Sequence, residues 1–234
     1  MTEHSSKQFD QDLETVRSRM MQMGGLVESQ VRAAMTGFLD GNLETIDQVI
    51  AADAKVNELE LAIDDGLGHI IVRRQPAASD LRLIMAMSKA VTDLERIGDE
   101  AAKIARMARE LHTPGPTVNT RLATIAHISD TAIGILRRAL DAFARLDAAA
   151  AARVIAEDVA IDSEFTAIIR QLITFMMEDP RTISTSINIL WVAKAFERIG
   201  DHAKNIAEQV IYVVRGRDVR HTPLAEVERE ALGR

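Results

Sequence analysis

Four pairs of oxygen-bearing side chains stand four residues apart in this 234-residue sequence: Glu95 with Asp99, Glu197 with Asp201, Asp158 with Asp162, and Asp53 with Asn57. Residues spaced by four share one face of an α-helix, and two carboxylates placed this way repel each other. A divalent cation offsets that repulsion, because hard ions such as magnesium, manganese or iron are held by several carboxylate oxygens. Two antiparallel helices, each carrying one pair, supply four oxygen ligands without a loop. Asn57 brings an amide oxygen and no charge, so the set Asp53, Asn57, Glu95 and Asp99 is expected to be the weaker of the two. The competing reading is a solvated helix surface, with Arg96, Arg198 and Lys103 at hand to form exposed ion pairs.

Repetition within the chain bears on that choice. Residues 95–99 read ERIGD and residues 197–201 read ERIGD again, with Ala101/Ala203, Ile104/Ile206 and Ala105/Ala207 continuing the match. Upstream, Val49-Ile50-Ala51 and Asp53 correspond to Val154-Ile155-Ala156 and Asp158, and Glu28 corresponds to Asp130. Drift erodes a solvated face faster than a core, yet ERIGD persists in both halves while Leu94 has become Phe196 and Ala90 has become Val192. That sets metal or partner binding level with the solvated-surface reading. Gly98 and Gly200 each cost a helix interior about 1 kcal/mol relative to Ala. Close packing of a neighbouring helix is the expected compensation.

The elements that must position these residues are long helices. Phe9, Leu13, Val16, Met20, Met23, Val27, Val31 and Ala34 form the stripe of an amphipathic helix ending near Leu39, where Asp40-Gly41-Asn42 supplies a turn and an N-cap. A second helix carries Val49, Val56, Ile63 and Ile70 at heptad spacing and stops near Gln75-Pro76. A third, capped by Ser79 or Asp80, runs from Leu81 to about Leu111. The strongest break, His112-Thr113-Pro114-Gly115-Pro116-Thr117, follows. A fourth helix covers Leu122 to Leu146, a fifth Ala148 to Glu178, and a sixth Ser184 to Arg215 with Gly216 as terminator. The helices of about 30 residues would each measure about 45 Å. The expected fold is all-α: two tandem, internally duplicated antiparallel three-helix bundles over 9–113 and 117–215. A polar, solvated tail over 216–234 would carry one short helix after Pro223.

Composition bounds the function classes. Only 3% of residues are aromatic, five are Pro and 12 are Gly, too little turn chemistry for a β-sandwich or barrel. The chain has no Cys, which excludes disulfides, thiolate metal sites and cysteine catalysis. A formal charge of −7 argues against nucleic-acid binding. The first twenty residues hold no apolar core of signal-peptide length and no apolar run spans a bilayer, so a cytoplasmic protein is expected.

Other chemistries find less support. A di-iron carboxylate enzyme would need Glu-x-x-His on two helices, which neither Glu197 with His202 nor His127 with Asp130 provides. His202 replaces Glu100 of the first repeat and points away from the Glu197/Asp201 line; His69 reads as a satisfied boundary histidine. No Gly-rich phosphate loop, nucleophile elbow or Ser/His/Asp set occurs, and no enzyme activity is expected. Met20-Met21-Gln22-Met23 and Phe175-Met176-Met177 read as core filling, and Arg215, Arg217, Arg220 and His221 as a solvated basic end.

The doubled motifs DLERIGDEAAKIA (93–105) and AFERIGDHAKNIA (195–207), preceded by PAASDLRLI (76–84), resemble the PhoU family of bacterial phosphate-signalling regulators over about residues 9–215. The resemblance implies a cytoplasmic adaptor that holds down phosphate uptake and phosphate-starvation signalling. It would contact the ATPase subunit of the phosphate ABC transporter and a phosphate-sensing histidine kinase, and reach the membrane only through such partners. It also implies a homodimer. The resemblance further implies metal binding, since some members of this family carry multinuclear metal clusters on paired E(D)xxxD motifs. Carried over, the ligands are Glu95, Asp99, Glu197, Asp201, Asp53, Asn57, Asp158 and Asp162, for iron, manganese, magnesium or zinc and with no organic cofactor. Asn57 departs from the acidic pattern. A metal-dependent enzyme or store on the same scaffold, or a metal-free coiled-coil scaffold, are the alternatives.

Overall fold

The computed structural model describes residues 2–112 and 122–233. Within them the chain forms α1 (Thr2–Asp40), α2 (Leu43–Arg74), α3 (Ala78–His112), α4 (Leu122–Arg145), α5 (Ala148–Glu178), one 3₁₀ turn (Pro180–Thr182), α6 (Ile183–Arg215) and α7 (Leu224–Leu232). No strand occurs among the described residues. The break expected at Pro114-Gly115-Pro116 lies outside them.

Turn chemistry sets the helix ends. Gly41 takes a left-handed backbone (φ 68°), and the Asn42 side chain accepts from the Thr45 amide at 3.1 Å to open α2. Gln75, also left-handed, closes α2 before Pro76. Asp147 accepts from the Ala150 amide at 2.9 Å to open α5, and Gly216 (φ 75°) ends α6 by returning its N–H to the Tyr212 carbonyl.

Short connections force neighbouring helices to run antiparallel, so α1–α3 form one three-helix layer and α4–α6 another. The heptad of α2 is buried throughout, with Val49, Val56, Ile63 and Ile70 all in the core. Met20 and Met23 are fully buried there too. The core does not stop between the layers. One continuous apolar cluster joins all seven helices, and the broadest helix–helix contact of the molecule is α3 on α6. Asp93 of α3 lies beside His202 and Asn205 of α6, and Glu100 lies beside Arg198, so as the residue number climbs on one helix it falls on the other. The two ERIGD helices are therefore antiparallel.

The C-terminal segment differs from the expected solvated tail. Val219, Val227 and Ala231 are buried, and α7 lies against α5 and the end of α6. Arg215 anchors it by donating to the Ala231 carbonyl from Nη2 at 2.6 Å. Val227 and Ala231, spaced four apart, face inward within an otherwise polar sequence, and Leu224 at the start of the helix is left partly exposed. No described helix is long and apolar enough to cross a membrane.

Candidate functional site

Gly98 and Gly200 bring each ERIGD helix against its neighbour. A Cβ on Gly200 would stand 2.6 Å from Cδ1 of Ile161 and 3.2 Å from Oδ1 of Asp158, both on α5; on Gly98 it would stand 3.3 Å from Val56 of α2. These contacts press α3 onto α2 and α6 onto α5 at the turn that carries the acids.

In the first half, α2 supplies Asp53 and Asn57 and α3 supplies Glu95 and Asp99, with Asp53, Asn57 and Glu95 half-buried and Asp99 exposed. A fifth member, Glu60, was not foreseen. Burial pushes the carboxyls of Asp53, Glu60 and Glu95 above the ordinary range, and Asp99 raises all three further. Arg96 and Arg106 offset part of the repulsion from a distance. Asp53 Oδ1 and Asn57 Oδ1 are buried and accept no hydrogen bond. Beneath them, Gln30 of α1 is 4% exposed with both amide atoms unpartnered, and its oxygen is 3.6 Å from the Cβ position of Gly98.

The second half has the same frame and a different charge balance. Asp158 and Asp162 of α5 face Glu197 and Asp201 of α6, and burial together with mutual repulsion raises Asp158 and Asp201. Asp158 is 1% exposed. Two lysines enter here where the first half has Thr92 and Ala102. Lys204 Nζ donates to Asp158 Oδ2 at 2.9 Å, and Lys194 Nζ to Glu197 Oε2 at 2.6 Å. Lys194 also lies 5.3 Å from the ring of Phe165, the residue that stands where the first half has Glu60. Asp158 Oδ1 remains buried and unpartnered.

Three residues bear on the expected ranking of the halves, with the first weakened by Asn57. Glu60 restores the charge that Asn57 lacks, whereas Lys194 and Lys204 offset two of the four acids of the second set. The donor chemistry of the first half fits a hard cation: four carboxyl groups, two orphaned buried oxygens and no inserted lysine. In the conformation described, no three His, Asp or Glu side chains among the described residues converge closely enough to grip one ion.

The remaining histidine and surface expectations resolve simply. His202 points away from Glu197 and Asp201, as helix geometry requires, and reaches Asp93 across the α3–α6 seam. Lys103 pairs with Glu100 and not with Asp99. His69 is exposed and near Asp65, so it is no boundary residue of the core.

The fold and site define a duplicated helical bundle with paired acidic stripes. Comparison with known proteins says which. The PhoU domain matches twice, over residues 20–108 and 125–210. The chain is 48% identical over 233 residues to the phosphate-specific transport system accessory protein PhoU homolog of Pseudomonas putida, covering 100% of this chain and 91% of that one. It is 42% identical over 238 residues to the phosphate-specific transport system accessory protein PhoU of Escherichia coli strain K12, covering 100% and 96%. The crystal structure of PhoU from Pseudomonas aeruginosa superposes with a TM-score of 0.87 at 48% identity, covering 89% of this chain and 100% of that one. The chain belongs to the PhoU family. It is an accessory protein and not an enzyme.

Proposed function

We propose that this protein is a negative regulator of phosphate uptake and phosphate-starvation signalling. It acts in the cytoplasm as an adaptor between the ATPase subunit of a phosphate ABC transporter and a sensor histidine kinase. The observation that carries this reading is the likeness to PhoU proteins along the whole chain, in both repeats. The relatives are named as accessory proteins of a phosphate-specific transport system, which supports the transporter as the first partner. A homodimer is part of the proposal.

Metal binding at the acidic stripes is the second part. Asp53, Asn57, Glu95 and Asp99, with Glu60 beside them, would hold a divalent cation in the first half. Asp158, Asp162, Glu197 and Asp201 would do so in the second only where Lys194 and Lys204 yield. A bound ion would neutralise the raised carboxyls and lock α2 to α3, stiffening the docking surface.

The experiment is alkaline phosphatase output in a deletion strain of the source bacterium grown in excess phosphate. High output, returned to low by the wild-type gene, is expected. Output that stays low after deletion of this gene and any paralogue overturns the regulatory reading. An Asp53→Asn/Asp99→Asn variant separates the metal from the regulation: unchanged metal content after purification would overturn the ligand assignment alone.

A further inference from the structure

A cavity of about 370 Å³ lies beneath α7, next to the second acidic stripe, and its size is that of a small-molecule site. Its floor is α6, its sides are α5 and the segment 217–223, and the start of α7 borders it. The sequence gives no reason to expect it, because its walls come from a stretch that reads as solvated tail.

The lining divides by chemistry. One side is apolar, with Val159 of α5 and Leu224 of α7 at the cavity. Val159 is a large apolar side chain left 58% exposed on its helix. The other side is rich in donors. Lys204 gives one N–H to Asp158 and keeps two; Arg220 is clamped through Nε and Nη2 by Asp218, leaving Nη1 to point elsewhere. Asp218 is held down to about 2 by that pairing, so the guanidinium is fixed in place. His221 lines the cavity with a left-handed backbone, φ 63°, a conformation uncommon outside glycine.

Glu208 stands between the two sides. It is 9% exposed, lines the cavity, and makes no hydrogen bond or ion pair. Its carboxyl opens onto the cavity, where solvent or a ligand with donors can meet it. No donor of the described residues does so. The cations are held from behind and the acid is not, so the unmatched demand is for a ligand carrying an oxyanion, hydroxyl or amine donors, and an apolar body.

We propose that this cavity binds a nucleoside phosphate. The phosphate sits against Lys204, Arg220 and His221, the ribose hydroxyls or base amine donate to Glu208, and the base lies along Val159 and Leu224. Carboxylates recognise ribose hydroxyls in this manner, and planar bases favour apolar walls. The inference is independent of the proposed regulatory role and of metal at the first acidic stripe; Lys204, which also bonds Asp158, is shared with the second.

The test is calorimetric titration and thermal melting of the full chain with AMP, and separately with adenosine and with inorganic phosphate, in metal-free buffer. AMP is expected to bind and to raise the melting temperature by several degrees, with adenosine and phosphate each at least tenfold weaker. Glu208→Gln and Arg220→Ala are expected to weaken AMP binding tenfold or more. Should either disturb the C-terminal segment, Val159→Trp, a change at an exposed position, fills the mouth and should abolish binding in a folded protein. No AMP binding overturns the proposal. So does inorganic phosphate binding as tightly as AMP, or AMP binding unchanged in Val159→Trp.

Discussion

His202 of α6 and Asp93 of α3 join the two halves directly, Nδ1 to Oδ1 at 2.8 Å, with their side chains only 12% and 14% exposed. Asn205 donates to the same Asp93 oxygen at 3.0 Å. Two turns further along α3, Glu100 pairs with Arg198 at 3.1 Å and with Lys103 at 3.3 Å. Glu100 and His202 occupy corresponding places in the repeat, so the duplication has placed an acid on one side of the seam and an imidazole on the other. The seam is held by a polar network set into an apolar contact.

Removing the shared acceptor should be costly. Asp93→Ala leaves His202 and Asn205 without their partner at a nearly closed interface, and a loss on the order of 1–3 kcal/mol is expected. Urea denaturation of wild type and Asp93→Ala measures it. A Thr92→Ala control, on the adjacent position of the same helix, should cost less.

The glycines should behave unequally. Ala at Gly98 meets Val56 at 3.3 Å and gains about 1 kcal/mol of helix propensity, so its stability should stay near wild type. Ala at Gly200 meets Ile161 at 2.6 Å and Asp158 at 3.2 Å, and the overpacking should cost on the order of 1–3 kcal/mol. The two denaturation midpoints, compared side by side, decide it.

Glu208 should make stability depend on pH. Burial pushes its carboxyl up to about 7, against the partial opposition of Lys204 and Arg220 and with help from Asp218 and Asp93. The folded state holds its proton more tightly than the unfolded state, so this contribution is fully present below the unfolded value near 4.5 and is lost as pH rises to about 7 and beyond. The loss is on the order of 3 kcal/mol. Glu208→Gln should melt higher than wild type at pH 8, and the difference should close as pH falls toward 4.5.

Divalent cations should discriminate between the halves. Titration of the metal-free protein with manganese is expected to give binding that Glu60→Gln weakens and that Lys204→Gln augments, the latter by freeing Asp158. Equal binding in both variants and wild type would remove any role for these two residues in ion binding. In metal-free buffer at pH 7, Glu60→Gln should also stabilise the fold slightly, because it relieves repulsion from Glu95 and Asp99.

Much of this architecture is legible in the sequence. Six long helices, their caps and the repeat all depend on spacing along a single helix, and spacing is local information. The eight stripe residues likewise lie where one turn of helix places them. What escaped notice was the next turn. Asp53, Asn57 and Glu60 follow the i, i+4, i+7 pattern, as do Glu197, Asp201 and Lys204, so extending each stripe by one step would have found both the extra acid and the inserted cation. The burial of α7 was harder to see. Val227 and Ala231 are two apolar positions among many charges, and only packing against α5 and α6 buries them. The α3–α6 network was not legible, because which helix faces meet across the repeat depends on tertiary packing.

The antiparallel seam has a consequence for the ancestry of the chain. Residue 100 meets residue 198, and 198 is the counterpart of 96, so the seam has the form of a contact between two copies of one helix related by a half rotation. Two copies of the first repeat would form the Glu100–Arg96 pair twice over, but would also set Asp93 against Glu100 twice, because Glu100 is the counterpart of the His202 that Asp93 meets here. Two copies of the second repeat would set His202 against Arg198 twice, with no acid between them. Neither like pairing joins acid to base at both contacts; the unlike pairing found here does, so the two repeats are matched to each other and not to themselves.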